Sequence, residues 1–393
     1  MADREVTSRP PVVMQVLPAL VTGGVERGAV DVAIALVDAG WRAIVVSSGG
    51  PMTHELERGG AEHIEMPVHS KNPIVMRANA DRLAALIGEN EVDIVHARSR
   101  APAWCARNAA KRGGARFITT FHATYNLGLP LKRLYNSVMA DGERVIAISH
   151  FIARHATQTY RIDPERIRVI HRGIDVEIFD PAQINPKRLI KLSTDWRLRD
   201  GVPVIMLPGR LTRWKGQHVL IEAIARLQRD NLCCLLVGGE KSRGAHRRDL
   251  ESLIDKHSLG GIVHLVGECN DMPAALKLAD VVVSASTDPE GFGRVIVEGQ
   301  AMGRPVIAAD HGASRELVIP DETGWLTRPG DPASLATALE TAISLDTDAR
   351  EALALRAIAR AREHFSKQAM CRATLDVYRE VIEETMADSE AAA

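Results

Sequence analysis

The sequence predicts an α/β protein built from two doubly wound domains, each with a parallel sheet covered by helices. Its 393 residues suffice for two domains of ordinary size, at roughly 100–200 residues each. Short runs rich in β-branched residues alternate with longer amphipathic stretches, and this alternation occurs twice along the chain. Most of the short runs are continuously apolar, which is typical of parallel strands that are buried on both faces.

The predicted elements follow one another in the same order in both halves. In the first half, the strands are 12–17, 43–48, 63–67, 93–98, 116–121, 144–149 and 167–172, and the helices are 24–38, 76–89, 102–111 and 130–140. In the second half, the strands are 202–208, 232–238, 262–267, 280–286 and 305–310, and the helices are 216–228, 246–257, 272–278 and 294–302. A helical pattern then runs from residue 332 to about residue 386.

The break between the two patterns predicts the domain boundaries. Residues 179–201 are charged, contain proline and lack a strand pattern. We therefore expect an N-terminal domain over residues 1–185 and a C-terminal domain over residues 186–370. We expect residues 371–393 to form a C-terminal helix that packs back on the N-terminal domain and ends in a frayed tail.

The composition argues against a nucleic-acid-binding, secreted or membrane-spanning protein. Lys and Arg number 49, Asp and Glu number 50, and aromatic residues make up only 4%, so we expect no nucleic-acid partner. The five cysteines show no CxxC spacing, which favours reduced thiols. No signal-peptide pattern precedes the first strand, and no apolar run is long enough to cross a bilayer. We therefore expect a cytoplasmic protein.

One stretch of the first half is locally basic. Residues 96–144 contain nine Lys or Arg residues and two acidic residues, with aromatic residues between them. This pattern suits an anionic ligand or a membrane surface. A solvated surface over scattered core aromatics is the alternative interpretation.

Candidate binding residues follow the predicted strands, because ligands of doubly wound proteins bind at the carboxyl ends of the strands. After the first strand, Gly23 and Gly24 open a helix whose N–H groups suit an anion, although a plain tight turn fits as well. His122 follows the fifth strand, where a purely structural histidine is the alternative. Arg210 and Lys215 follow the first strand of the second half, and both are cations suited to a diphosphate unless their loop is simply solvated.

The strongest local pattern is the run DPEGFGRVIVE at 288–298. It follows an apolar strand and opens a helix. Gly291 and Gly293 free the backbone, so that the amides of residues 292–295 can point at a phosphate. Glu298 lies about one turn into the helix and suits vicinal hydroxyls such as those of a ribose, while Glu290 in the preceding loop is within reach of a sugar.

These motifs resemble those of retaining glycosyltransferases. The run EGFGRVIVE, in which seven residues separate Glu290 from Glu298, is similar to the E-x7-E signature of those enzymes. Together with GRLTRWKG at 209–216, GGVER at 23–27 and TFH at 120–122, it makes the chain resemble glycosyltransferase family 4. The resemblance implies the GT-B fold, in which two Rossmann-like domains face each other across a cleft. It also implies a nucleoside-diphosphate sugar as donor, bound mainly by the C-terminal domain.

The resemblance implies a role for each candidate residue. Glu298 would hold the ribose hydroxyls, Glu290 would contact the donor sugar, and His122 would lie beside the reacting carbon. The other donor contacts would come from Arg210 and Lys215 at the diphosphate, from the backbone of Phe292, Gly293, Arg294 and Val295, from Gly23 and Gly24 beside the phosphates, and from Leu265, Val266 and Met272 beside the base. The loop at 311–314 departs from the double glycine that is usual in the family.

The implied reaction transfers a sugar from a UDP- or GDP-sugar to a hydroxyl acceptor with retained configuration and without a metal or other cofactor. We expect a glycan or lipid-linked acceptor, as in envelope polysaccharide or lipopolysaccharide biosynthesis, and peripheral contact of the N-terminal domain with the inner face of the cytoplasmic membrane. A soluble small-molecule acceptor is the alternative. The DxD triplet at 346–348 is expected to cap a helix. The alternatives are a GT-B sugar-nucleotide epimerase or phosphorylase, a non-catalytic nucleotide-sugar-binding protein, and a dinucleotide-dependent oxidoreductase, whose GxGxxG spacing Gly23 and Gly24 do not match.

Overall fold

The computed structural model divides the chain into two compact units. The first unit contains the chain up to Gly173 together with the chain from Lys367 onward, and the second unit is Ile174–Ser366. The structure describes residues 9–21, 23–125, 128, 130–240 and 244–392, with the backbone alone described at 130, 131, 386 and 388–392. Each unit is built on one parallel sheet.

The first unit has seven strands and seven α-helices among its described residues. The strands are β1 (Val12–Val16), β2 (Arg42–Ser47), β3 (Glu62–Glu65), β4 (Ile94–Ala97), β5 (Arg116–Phe121), β6 (Arg144–Ala147) and β7 (Ile167–Val169). The helices are α1 (Gly24–Asp38), α2 (Thr53–Arg58), α3 (Pro73–Glu89), α4 (Arg100–Gly113), α5 (Pro130–Ser137), α6 (His150–Tyr160) and, from the end of the chain, α15 (Lys367–Ala392), with a short 3-10 helix after α5 and another before β7. The strand order β3-β2-β1-β4-β5-β6-β7 reverses between β1 and β4, so a crevice opens there at the carboxyl ends.

The second unit repeats this plan with six strands. They are β8 (Val204–Pro208), β9 (Cys233–Val237), β10 (Val263–Gly267), β11 (Val281–Ser284), β12 (Val306–Ala309) and β13 (Gly324–Thr327). The helices are α7 (Pro186–Asp195), α8 (Gln217–Leu227), α9 (Ala245–Lys256), α10 (Met272–Leu278), α11 (Arg294–Ala301), α12 (Ser314–Leu317), α13 (Pro332–Ile343) and α14 (Thr347–His364). The order β10-β9-β8-β11-β12-β13 reverses between β8 and β11.

The apolar runs form the sheets for the reason that the sequence indicated. Every residue of β1, β8 and β9 is buried, because helices cover both faces of a doubly wound sheet. Helix α1 turns Ala29, Val32, Ala33 and Leu36 toward the core at helical spacing. The α/β class with two Rossmann-like parallel sheets is therefore confirmed.

The boundary between the units lies earlier than the predicted position between residues 185 and 186. The backbone N–H of Ile174 donates to the carbonyl oxygen of Phe365 at 2.8 Å, and Ile174 bridges Ser366, so the chain enters and leaves the second unit at adjacent points. The segment interpreted as a break contains α7, which packs on α10. We did not predict this helix because charged residues interrupt its few apolar residues in the sequence.

The end of the chain returns to the first unit. Helix α15 packs on α1, and its Leu375, Tyr378 and Val381 lie in the core of that unit. The tail from residue 388, which we expected to fray, is helical as far as Ala392, in keeping with the high helix propensity of Ala and Glu. None of the described helices combines the length and the apolar character that crossing a bilayer requires.

Candidate functional site

The main candidate site of the second unit lies where β8 and β11 end. These strands are neighbours at the point where the strand order reverses, so the loops that follow them flank one crevice. The β8 loop contains Arg210 and Lys215, and the β11 loop contains Glu290. The fold therefore brings together loops that are about 75 residues apart in the sequence, as the separation of Lys215 and Glu290 shows.

A glycine fixes the β8 loop against the end of β11. Gly216 adopts φ +72°, and a Cβ atom there would lie 1.8 Å from the carbonyl oxygen of Ala285. The backbone N–H of Thr287 also donates to the carbonyl oxygen of Trp214 at 2.7 Å. Only glycine fits this approach, so the loop that carries Lys215 is held in one position.

Lys215 and Glu290 form a largely buried ion pair. Lys215 Nζ lies 2.8 Å from Glu290 Oε1, and their side chains are only 16% and 14% exposed. The hydroxyl of Ser286 donates to the same carboxylate oxygen at 2.5 Å, and the ring of Trp214 lies 4.5 Å from Lys215 Nζ. A second predicted cation, Arg210, is exposed and does not join this pair, although its backbone oxygen accepts from Gln217 Nε2 at 2.9 Å.

The start of α11 supplies the next part of the site. Gly293 precedes the helix with φ +100°, and Ile296 N–H donates back to the Gly293 carbonyl at 3.0 Å. The first backbone N–H groups of a helix have no partner within it, so those of Arg294 and Val295 can donate hydrogen bonds to an anion. The Phe292 side chain is buried against Phe365, and it is therefore through its backbone alone that this residue can face a ligand.

Glu298 lies in the first turns of the same helix. It is buried apart from 7% of its surface, and Arg294 Nη2 lies 2.8 Å from Glu298 Oε1. The pair fixes the carboxylate beside the helix start. A carboxylate held in this way can accept hydrogen bonds from two neighbouring hydroxyl groups.

The residues predicted beside a base lie farther along the sheet. Leu265 and Val266 are half-buried in β10, the edge strand, and Met272 is the first residue of α10. Asp271 caps this helix through Ala274 N–H, and Arg188 lowers the pKa of its carboxyl by a hydrogen bond. These contacts hold the start of α10 next to the end of β10, which lies two strands away from β8 in the sheet.

The remaining predicted residues belong to the first unit. Gly23 precedes α1, and a Cβ atom on Gly24 would lie 3.0 Å from Arg172 Nη2. His122 directly follows β5, and its Nδ1 accepts from Arg172 Nη1 at 3.3 Å. Burial, with Arg172 and Arg98 nearby, holds the pKa of His122 well below its usual value, so the ring is neutral and Nε2 carries the proton.

Sequence reasoning missed three residues at these sites. Arg98 follows β4 and Arg172 follows β7, and both approach the start of α1. His311, after β12, donates from Nε2 to the carbonyl oxygen of Ser286 at 2.9 Å. In the sequence, these three residues are marked only by their position after predicted strands. Many other polar residues share that position, so it does not single them out.

The structure also bears on the DxD triplet at 346–348 and on the basic stretch at 96–144. Asp346 caps α14 by accepting from Ala349 N–H at 2.8 Å, which confirms the capping interpretation of the DxD triplet. In the basic stretch, three arginines are each paired with a carboxylate: Arg107 with Asp141, Arg112 with Asp81, and Arg116 with Glu143. These three of the nine cations are therefore neutralised locally.

Comparisons with known proteins agree with this architecture. Residues 22–178 match the model described as Glycosyltransferase Family 4, and residues 191–363 match the model described as Glycosyl transferases group 1. A solved glycosyltransferase from Rickettsia africae is 38% identical, with a TM-score of 0.88 over 95% of this chain and 99% of that one. The structure of HepE from Anabaena in complex with UDP is 24% identical, with a TM-score of 0.81 over 94% of this chain and 100% of that one, and shares the fold.

The fold and these matches define a glycosyltransferase of the GT-B type. A relative from Xylanimonas cellulosilytica, named D-inositol 3-phosphate glycosyltransferase, is 30% identical over 77% of this chain and 74% of its own length. The chain belongs to glycosyltransferase family 4.

Proposed function

We propose that the protein is a retaining, metal-independent glycosyltransferase that moves a sugar from a UDP- or GDP-sugar to a hydroxyl acceptor. The observation that carries this proposal is the Lys215–Glu290 pair, held beside the start of α11 where the strand order of the second unit reverses. A cation, a carboxylate and free helix amides at one crevice suit a molecule that joins a sugar to a diphosphate. The UDP complex of HepE, a protein of the same fold, is consistent with such a donor.

Each part of the donor is assigned to one part of this crevice. Lys215 and Arg210 bind the diphosphate together with the amides at the start of α11. Glu290 contacts the transferred sugar, and Glu298 accepts hydrogen bonds from the ribose hydroxyls. The β10 end, with Val266 and Met272, flanks the base. The roles that the resemblance implies for Gly23 and Gly24 beside the phosphates and for His122 beside the reacting carbon stay predictions.

The proposed chemistry proceeds on one face of the sugar. The bond between the anomeric carbon and the diphosphate oxygen breaks through an oxocarbenium-like state, and the diphosphate leaves with the bonding electrons. The acceptor hydroxyl oxygen bonds the anomeric carbon from the same face, and its proton passes to the leaving phosphate oxygen. Fixed cations that stabilise the charge developing on this oxygen provide the main rate enhancement.

We propose an anionic glycan or lipid-linked acceptor of the cell envelope, as in polysaccharide or lipopolysaccharide biosynthesis. The name of the Xylanimonas relative contains D-inositol 3-phosphate, a phosphorylated compound, which supports an acid group on the acceptor. The basic residues of the first unit are compatible with the same chemistry.

Peripheral membrane contact through the first unit is part of this proposal. Helix α5 presents Lys132 and Arg133 beside Leu134, which is 64% exposed. This combination suits an anionic membrane surface. Co-sedimentation with anionic vesicles should fall in Leu134→Ser and persist in Ile190→Ser, a matched control on the second unit that is also 64% exposed. If both variants sediment with vesicles as the wild type does, the proposed membrane contact through α5 is wrong.

Nucleotide binding and turnover test the activity. A nucleoside diphosphate present at about 100 times its dissociation constant should raise the free energy of unfolding by about 2.7 kcal/mol. Sugar nucleotides should then be consumed only when an acceptor is supplied. Product formed without acceptor would indicate the epimerase alternative, and binding without any turnover would indicate a non-catalytic binding protein.

A further inference from the structure

The second unit has a cavity apart from the crevice that is assigned to the donor. Its volume is about 530 Å³, and it lies between the start of α8, one face of α9 and the loop after β11. The described residues that line it include none of those to which a part of the donor is assigned. A cavity of this size is large enough for a small ligand, so it is a separate candidate site.

One face of α9 forms a wall of this cavity. Four residues of the helix line it: His246, Asp249, Leu250 and Leu253. They are spaced three or four residues apart, so they lie on the same side of the helix. The two leucines pack into the core of the second unit, whereas Asp249 is exposed. The wall is therefore apolar on its inner side and polar at its rim.

Trp214, in the loop after β8, adds an aromatic surface to the lining. Its carbonyl oxygen accepts from the backbone N–H of Thr287 at 2.7 Å, and its ring lies 4.5 Å from Lys215 Nζ. The first contact fixes the backbone of Trp214 and the second favours one position of its ring. A flat apolar surface is thus held in place beside the polar rim.

Several polar groups of the lining are not engaged with the protein. Asp288 is exposed and makes no ion pair or hydrogen bond with the described residues. In the same part of the chain, neither ring nitrogen of His246 has a hydrogen-bond partner, and a buried polar group in that state is costly. Burial lowers the pKa of His218, so its ring is neutral at pH 7 and offers one donor and one acceptor. These groups favour a ligand that brings several hydrogen-bonding groups.

The charges of the lining argue against an anionic ligand. Among the described residues that line the cavity, Arg213 is the one Lys or Arg, and its Nη2 is paired with Asp249 Oδ2 at 2.9 Å. Asp288 then leaves a negative charge without a partner at the rim, which would repel a phosphate or carboxylate group. A neutral ligand that carries hydroxyl groups meets no such repulsion.

We propose that this cavity binds a neutral sugar residue, with one face of the sugar ring on Trp214 and its hydroxyl groups on His218 and Asp288. A pyranose carries C–H groups on its faces and hydroxyl groups around its edge, so it matches an aromatic surface bordered by polar groups. Its hydroxyl groups both donate and accept, as the His218 ring does, and a carboxylate accepts from two of them. The inference goes beyond the proposed function, because the transfer reaction does not use this cavity.

The methyl glycosides of glucose, galactose, mannose and N-acetylglucosamine are the probes, and saturation-transfer NMR on the full-length protein measures their binding. At least one of them should bind the wild type with a dissociation constant below about 10 mM. His218→Ala and Asp288→Ala should each weaken that binding by about tenfold. Asp230→Ala, which removes an exposed carboxylate beyond the other end of α8, should bind as the wild type does. If His218→Ala does not fold, Asp288→Ala carries the test, because Asp288 is exposed.

Excess UDP or GDP separates this cavity from the donor crevice. Glycoside binding that persists beside the nucleotide and falls in the variants supports the proposal. The proposal is overturned if no glycoside of the panel binds, if a folded variant keeps the wild-type affinity, or if the nucleotide displaces the glycoside. Glycoside binding at this cavity in a protein that binds no nucleotide would count against the proposed function alone.

Discussion

Replacing Lys215 by methionine should weaken UDP or GDP binding and slow sugar transfer while leaving the fold intact. The methionine side chain keeps most of the apolar stem but removes Nζ, which lies 2.8 Å from Glu290 Oε1 and 4.5 Å from the Trp214 ring. The loss of one preorganised cation at a leaving group costs about 3 kcal/mol, or about 10²–10³-fold in kcat.

The same substitution has a stability cost that must be measured separately. Glu290, which is 14% exposed in the wild type, keeps its hydrogen bond from Ser286 but loses the charge-assisted hydrogen bond from Lys215. We expect the free energy of unfolding to fall by about 1–3 kcal/mol. Denaturant unfolding without ligand measures this term, and titration of the folded variant with nucleotide measures the binding term.

Glu290→Gln is the matched second variant. Because the carboxylate of Glu290 pairs with Lys215, its neutralisation should leave nucleoside diphosphate binding intact or tighten it, while sugar transfer is lost. A double-mutant cycle of Lys215→Met and Glu290→Gln then gives the interaction energy of the pair apart from the contribution of each side chain to ligand binding. If Lys215→Met folds and binds the nucleotide with wild-type affinity, the assignment of Lys215 to the diphosphate is wrong.

Three further predictions address the structure around the sites. Tyr378→Phe leaves the buried His96 without the partner of Nδ1 and should lower the free energy of unfolding by about 1–3 kcal/mol in urea; an unchanged midpoint would show that this bond contributes nothing. Gly216→Ala should disrupt the loop that carries Lys215 and abolish nucleotide binding, whereas Gly260→Ala, with open space around it, should behave as the wild type. Because burial lowers the pKa of both His96 and His122, the unfolded chain binds more protons than the folded one below about pH 6.5. The free energy of unfolding should therefore fall between pH 7 and pH 5, and a flat profile would contradict the buried neutral rings.

The strands and the second-unit loops could be predicted from the sequence because their signals are local. Continuous apolar runs marked β8, β9 and β11, and the glycines around Phe292 marked the start of α11. Strand β13 could not be predicted in this way because its local signal is weak: it is four residues long, begins at Gly324 and lies at the edge of the sheet. A Cβ atom on Gly324 would lie 2.1 Å from the carbonyl oxygen of Val306, a contact that a single sequence does not reveal.

The pairing of residues across strands could not be predicted. Arg98, His122 and Arg172 come from three different strand ends, and only the strand order places them beside α1. From the sequence, Lys215 and Glu290 have separate predicted roles, but their direct contact depends on how the β8 and β11 loops pack together.

Acceptor-dependent transfer of a labelled sugar is a direct assay of the proposed glycosyltransferase activity. The full-length protein is incubated with a panel of labelled UDP- and GDP-sugars and a cell-envelope extract, with Glu290→Gln as the matched control. We expect labelled glycan and released nucleoside diphosphate in equal amounts from at least one donor, with neither product formed by the variant. Nucleotide binding with no transfer from any donor, or equal transfer by the variant, would contradict it.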